Sequence, residues 1–461
     1  MKKGLISFLS VCFLLLLWQL TATYIDQPEL IPSIPALVKT LFSLFTSENF
    51  YLNILATLTR GIAGMILSLA AASLSAFLFA RYGLLYEFFR PLLTIMRSVP
   101  VISFILLALI FLDPESIPLM IAFLTMYPLL TENLTKGIVN LRPGLLLMAD
   151  QFRLTRANKL MQVIYPQLKP FLFSGLASAA GFGWRAIIMG EVLSQCAFGI
   201  GGEMKRAQNF IAVPELIAWT MIAVVISFFC DKGINKLAGM QWKIRYCAKG
   251  NEVIGRNTDR QEPVKVSDLT FQYAETAVLS HFSYTFEPGS IYGIKAPSGT
   301  GKTTLLNLIS GSLKPVTGSI TLNSAQRFSM VYQEPELLPH LTALQNVSLP
   351  LASACNQICS EQEAMKALEI VEMNTLATRY PEELSYGQQQ RIALARAFAY
   401  PSTILLLDEP FKGLDKALSG RIIDQMLAKQ AESRQTIIFT SHDPEELARL
   451  ATVVIRLPKI D

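Results

Sequence analysis

Charge is scarce in this sequence. Only 16% of its 461 residues are Asp, Glu, Lys or Arg, against 51% hydrophobic, where an ordinary soluble chain carries about a quarter charged. The shortage is not spread evenly. Residues 1–232 hold long apolar runs, whereas 263–461 read as a normal soluble domain. The composition therefore excludes a chain that is soluble throughout and splits it into a membrane half and a soluble half. Cysteine spacing excludes other classes. Of Cys12, Cys196, Cys230, Cys247, Cys355 and Cys359, three lie in or beside apolar segments, where a free thiol serves as a small hydrophobe. Cys355 and Cys359 stand four apart on an expected helix, but no His or second Cys pair accompanies them, which argues against zinc. A disulfide framework does not suit a cytosolic domain. No small-x-small cleavage site follows the first apolar run, which favours an uncleaved helix over a signal peptide. The net charge is +5, but the Lys and Arg of the first half lie between apolar runs, where membrane proteins place them. That placement argues against a nucleic-acid partner.

A spanning helix needs about 20 mostly apolar residues. Six segments qualify: Leu5–Tyr24, Gly61–Ala80, Pro91–Leu112, Ile117–Leu134, Phe171–Leu193 and Val213–Cys230. The third and fourth are separated only by Asp113-Pro114-Glu115-Ser116, which reads as a tight turn. One set of loops holds Lys2, Lys3, Arg81, Arg90, Lys136, Arg142, Arg153, Arg156, Lys159 and Lys169; the other holds Lys39, Lys205 and Arg206. The richer set is expected to be cytoplasmic, so both the N-terminus and the chain after six spans lie in the cytoplasm. The longest cytoplasmic loop, 136–170, carries Leu154, Ala157, Met161 and Ile164 at helical spacing. It reads either as a surface helix lying on the bilayer or as a docking helix for the soluble domain. Ionisable residues within spans are costly. Glu132, Arg185 and Glu191 lie in or near them, and Arg97 starts one. They either pair within the bundle, sit at the interface or, for Arg97 and Arg185, attract an anionic solute. Residues 233–263 are polar and read as a linker, with a second domain over 264–461.

That second domain opens on a strand, Ser290–Ala296, and a helix, Lys302–Ile309. Between them lies Pro297-Ser298-Gly299-Thr300-Gly301, the context a phosphate-binding loop requires. Its glycines let backbone N–H groups turn inward, and the helix N-terminus adds positive potential. Lys302 would reach phosphate oxygens, Thr303 would place a hydroxyl on Mg²⁺, and Thr304 falls among the ATP contacts. Ile404–Asp408 is a buried strand that ends in two carboxylates, Asp408 and Glu409. Ligands of a parallel α/β sheet bind beyond the carboxyl ends of its strands. Asp408 suits the Mg²⁺ shell and Glu409 suits the general base for an attacking water.

With these elements in place, residues 264–461 resemble an ATP-binding cassette ATPase. Leu384-Ser385-Tyr386-Gly387-Gln388 resembles the family signature, which binds the ATP held by the opposite subunit. The resemblance implies further roles. Gln333 would touch Mg²⁺ and face the membrane domain, Gly413-Leu414-Asp415 would be the inter-subunit loop, His442 the switch histidine, and Tyr273 the aromatic that stacks on adenine. Two positions depart from the pattern: Ala296 replaces the loop's first Gly, and Tyr386 the first signature Gly. The first half resembles permease subunits of binding-protein-dependent importers, nearest the group for nitrate, taurine, alkanesulfonates and thiamine-precursor pyrimidines. Leu30-Ile-Pro-Ser33, Arg97-Ser-Val-Pro100, Tyr165–Pro170 and Trp184-Arg185 with Glu191 carry that likeness. The family's loop motif is reduced to Leu147-Met148-Ala149, with Arg153 at its Gly position.

The expected fold is thus multidomain, an all-α six-helix transmembrane domain followed by an α/β P-loop ATPase. The expected function is ATP-driven import of a small solute across the cytoplasmic (inner) membrane. A homodimer would sandwich two ATP, with Glu409 and His442 catalytic and a separate extracytoplasmic solute-binding protein as partner. The alternative is an exporter half-transporter, against which the short loops count. A mechanical or signalling device would carry a large external domain, and the external loops are short.

Overall fold

The computed structural model describes residues 2–25, 27, 29–240, 262–273, 276–297, 299–323, 326–352 and 357–457. Ser298, Cys247, Cys355 and most of the expected linker lie outside the described residues. The chain forms two compact units. One is Met1–Leu141 with Gln167–Trp242; the other is Arg142–Pro166 with Lys243–Asp461.

The first unit is helical. Its early helices are α1 (Lys2–Ile25), α2 (Ile34–Phe45), α3 (Phe50–Arg81), α4 (Gly83–Ser98), α5 (Val101–Phe111) and α6 (Ile117–Val139). The excursion into the second unit holds α7 (Pro143–Gln151), α8 (Arg156–Asn158) and a π-helical turn, Lys159–Ile164. Then follow α9 (Tyr165–Ser194), α10 (Ile200–Asn209) and α11 (Val213–Gly239). Five helices are long and apolar enough to cross a membrane, or six if the α4–α5 pair counts as one span. The span expected over Pro91–Leu112 is broken: α4 and α5 meet at 95°. Pro100 has no N–H to continue the ladder and drives Val99 to extended backbone (ψ 131°). The last helix also passes residue 232 and takes the first residues of the expected linker. It meets no proline on the way, and Lys236 in its last turn suits the negative helix end.

The second unit follows the α/β pattern. Its elements are β1 (Val264–Tyr273), β2 (Thr276–Phe286), β3 (Ile291–Lys295), α12 (Lys302–Ile309), β4 (Thr317–Thr321), β5 (Phe328–Val331), α13 (Ala343–Leu351), α14 (Gln357–Ile370), α15 (Tyr386–Ala399), β6 (Ile404–Asp408), α16 (Lys416–Ser433), β7 (Thr436–Thr440), α17 (Pro444–Leu450) and β8 (Val453–Arg456). A parallel sheet runs β5-β6-β7-β3-β8, and a separate antiparallel sheet runs β2-β1-β4. Every residue of β6 and β7 is buried, as parallel strands covered on both faces must be.

Residues 142–166 belong to this unit through apolar packing. Leu145, Met148, Ala149, Phe152, Leu154 and Val163 are buried with Leu338, Leu341, Leu349 and Tyr400. The segment is therefore a docking element. The face foreseen for it is only partly right: Leu154 is buried, but Ala157 and Met161 are exposed, and Asn158, Gln162 and Val163 point inward instead. The π-helical turn lengthens the repeat there and rotates the buried face away from a 3.6 period. A Cβ on Gly144 would meet the Glu336 carboxylate, the end of a flexible side chain, which would have to move to admit it. The receiving loop is pinned by Asn346. Its amide donates to Leu338 O (3.1 Å), Leu341 O (3.0 Å) and Thr342 O (3.1 Å) and accepts from Leu338 N (2.8 Å). Asn346→Ala leaves these buried groups unmatched and should cost about 2–3 kcal/mol. Scanning calorimetry would show it as a lowered unfolding transition; an unchanged one would refute this account of the loop.

Candidate nucleotide site

The site is built where β3, β6 and β7 end. Burial of β3 delivers the chain to 296–301, and Gly301 caps α12 in the left-handed region (φ 83°). A Cβ there would lie 2.7 Å from Val278 Cγ1, so shape and backbone both require glycine. Ala296 is 7% exposed and packs in the core with Ile294, Leu305 and Leu308. Its extra methyl is absorbed by that core.

Lys302 reaches back over the loop. Its Nζ donates to Ala296 O (2.8 Å) and Pro297 O (3.2 Å) and lies 2.8 Å from His442 Nε2. Burial lowers its pKa, while the carboxylates of Glu409 and Asp408 oppose the shift. Thr303 Oγ1 donates to Asp408 Oδ2 (2.6 Å), and Thr440 Oγ1 donates to Asp408 Oδ1 (2.7 Å). Burial raises the Asp408 pKa; the hydrogen bonds from Thr303 and Thr440 counter it. The backbone N–H of Glu409 donates to Thr440 Oγ1 (3.0 Å), and Glu409 Oε1 lies 2.9 Å from His442 Nε2. Glu409 has φ 48°, a left-handed conformation that costs a non-glycine residue energy and marks functional turns.

Six side chains thus converge: Lys302, Thr303, Asp408, Glu409, Thr440 and His442. Thr440 was not foreseen as a site residue, although its signal was present. It is the polar end of a buried strand, and the parallel register sets it beside Asp408. The other expected residues stand elsewhere. Thr304 is 6% exposed, with its side chain turned into the domain. Thr300 Oγ1 donates to Pro297 O (2.7 Å), and Gly299 holds φ 83°. Tyr273 is exposed and packs edge-on against Phe271. Ser385 and Gln388 form a reciprocal capping box at the start of α15. Gly387 approaches Gly413 so closely that a Cβ would meet Gly413 O at 2.6 Å. Gln333 is exposed, and its carbonyl accepts from the Tyr386 hydroxyl (2.8 Å).

In the membrane unit, most ionisable groups named from the sequence are paired. Buried Glu191 accepts from Arg60 Nη1 (2.7 Å), Thr57 Oγ1 (2.9 Å) and Gly201 N (2.9 Å). Arg60 also pairs with Glu115. Arg97 pairs with Glu132, which holds Lys136 as well. Pairing therefore claims Arg97, which sequence reasoning offered to an anionic solute. Arg185 is exposed on α9.

Thr440 makes one test possible. Its hydroxyl favours the ionised form of Asp408, so Thr440→Val raises that pKa further. The acid limb of the ATP-turnover profile should move to higher pH, and turnover at neutral pH should fall about tenfold for one lost charge-assisted bond. Steady-state rates measured between pH 5 and 9 check this; an unmoved limb would count against a working role for Asp408.

Comparison with known proteins bears on both units. A family model described as "ABC transporter" matches residues 279–412. One described as "Binding-protein-dependent transport system inner membrane component" matches residues 64–230. The thiamine import ATP-binding protein ThiQ of Shigella sonnei (strain Ss046) is 39% identical over 199 residues, 41% of this chain and 85% of that protein. ThiQ of Escherichia coli (strain K12) has the same identity and coverage. A solved dimeric ATP-binding cassette in a post-hydrolysis state, bound to ADP and Pi, is 30% identical; the match covers 42% of this chain and 94% of that one, at a TM-score of 0.40. The chain belongs to the ABC transporter family, with an inner-membrane permease component and an ATP-hydrolysing ABC domain joined in one polypeptide.

Proposed function

We propose that this chain works as a homodimer that imports a small solute across the inner membrane, with a separate solute-binding protein delivering that solute. The observation that carries the reading is the convergence of Lys302, Thr303, Asp408, Glu409 and His442 beside the glycine loop. ATP phosphates would bind at Gly299–Thr304, with Tyr273 against adenine. Ser298 of the same loop lies outside the described residues. Ser385, Gly387 and Gln388 would complete the site of the partner copy. The oxygen donors Thr303, Asp408 and Gln333 fit Mg²⁺, a hard cation that takes one or two carboxylates together with substrate phosphates. When bound there, the ion would supply positive charge against the phosphates while the terminal phosphoryl group passes to water and ADP leaves.

The residues then have defined tasks. Lys302 exchanges two loop carbonyls for phosphate oxygens when nucleotide arrives. Nε2 of His442 can accept from Lys302 or donate to Glu409, but not both at once. Departure of Lys302 toward phosphate frees that nitrogen to hold Glu409. Glu409 is then oriented to take the proton of the attacking water.

The import direction draws support from the permease model and from relatives named as import ATPases. Topology follows the distribution of Lys and Arg, with the N-terminus and the ATPase in the cytoplasm. With Arg97 paired to Glu132, an anionic solute would depend on Arg185.

Glu409→Gln should bind ATP, lose turnover by at least about a hundredfold and accumulate as an ATP-held dimer. Filter binding, phosphate release and size-exclusion chromatography read the three properties; undiminished hydrolysis would remove Glu409 from its role. In proteoliposomes with ATP enclosed, solute should accumulate inside. Loss of solute from that compartment would favour export instead.

A further inference from the structure

Helix α15 touches the segment 333–336 at both of its ends. At the N-terminal end, the Tyr386 hydroxyl donates to Gln333 O at 2.8 Å. At the other end, Arg396 donates to Pro335 O (3.0 Å) and Glu336 O (2.7 Å). Residues 386 and 396 are separated by about 15 Å of helix, at 1.5 Å per residue. The chain from Gln333 to Glu336 spans at most about 10 Å when extended, and the two long side chains close the difference. The segment is bonded at both ends, and Glu336 is held at φ 42°, where a non-glycine residue is strained. A pull on Gln333 is therefore a pull on the start of α15.

The Tyr386 ring also meets the loop that follows the carboxylates. A Cβ on Gly413 would lie 3.1 Å from Tyr386 Cδ1, and Gly413 itself has φ 80°. One residue thus joins three segments: the segment of Gln333, the Gly413 loop and the cap formed by Ser385. Under the dimeric reading proposed above, these segments serve different nucleotides. Gln333 belongs to the ATP on its own chain; Ser385–Gln388 belong to the ATP on the partner.

Resting on that reading, we infer that Tyr386 is a positioning residue that couples the two ATP sites of the dimer. When Gln333 moves onto its own nucleotide, the hydroxyl bond carries the start of α15 with it and presets the cap that closes on the second nucleotide. Each chain supplies one such strut, so the coupling is reciprocal, as linkage requires. Glycine, which the signature carries at this position in the family, has no atoms to make either contact.

The test is the ATP-concentration dependence of hydrolysis by the full chain in lipid nanodiscs. The native protein should give a Hill coefficient well above one. Tyr386→Phe keeps the ring against Gly413 and removes only the bond; its coefficient should fall toward one, since a bond of this kind contributes about fivefold to the coupling. A second measurement uses mixed dimers carrying one Lys302→Ala chain. With Tyr386 intact they should hydrolyse at well under half the native rate, and with Tyr386→Phe at a fraction closer to half that variant's rate. A native coefficient of one, or unchanged cooperativity in Tyr386→Phe, would overturn the inference. If Glu409→Gln still traps an ATP-held dimer in that case, the dimeric reading survives and only the strut fails.

Discussion

A guanidinium taken fully out of water must find its partners inside the protein, and Arg396 finds them in a loop and a ring. It is 1% exposed, donates to the carbonyls of Pro335 and Glu336, and sits 5.3 Å from the ring centre of Phe152. Burial lowers its pKa to about 10, which leaves it charged at neutral pH. Removing one partner of a buried charge costs about 3–5 kcal/mol, so the loop cannot leave Arg396 without large loss. Because Phe152 belongs to the docking segment, the same charge fixes both the loop and the surface that receives the segment. The backbone carbonyls are satisfied, the ring is covered, and the helix that carries Arg396 begins at the signature residues. The signature-like residues and the docking segment thus meet on one helix within the second unit.

The membrane unit obeys the same constraint in a harsher solvent. An unpaired charge in hydrocarbon is costly enough to decide structure. Glu191 receives an arginine, a hydroxyl and a backbone N–H, and Arg97 receives Glu132. These pairs tie α3 to α9 and α4 to α6, linking helices far apart in sequence. Of the two arginines that the sequence offers to a solute, Arg97 is thus used to assemble the bundle.

Elements set by local rules were legible in the sequence. The glycine loop between a strand and a helix, and the apolar strand ending in Asp408 and Glu409, follow from residues adjacent in the chain. What escaped was set by exceptions to periodicity. The bend at Pro100 was hidden inside a run that passes as one span by hydropathy. The buried face at Asn158, Gln162 and Val163 was hidden by a π-helical turn, because pattern reading assumes 3.6 residues per turn. Thr440 escaped for a different reason. Its importance comes from the pairing of β6 with β7, a contact across 32 residues.

The two departures from the family pattern show how far a single residue can be read alone. Ala296 reads as one added methyl, and burial in an apolar core is a sufficient account of it. Tyr386 reads as added bulk, and bulk alone predicts a slower machine. The structure replaces bulk with a bond, because the hydroxyl ends 2.8 Å from a carbonyl 53 residues away. A phenol that only obstructed would have no reason to point at an acceptor. The ring's remaining exposure of 37% leaves that bond at the surface of the second unit. A net worth of about 1 kcal/mol for one such bond is too little to hold a fold together, yet it is enough to bias two arrangements of a loop by about fivefold.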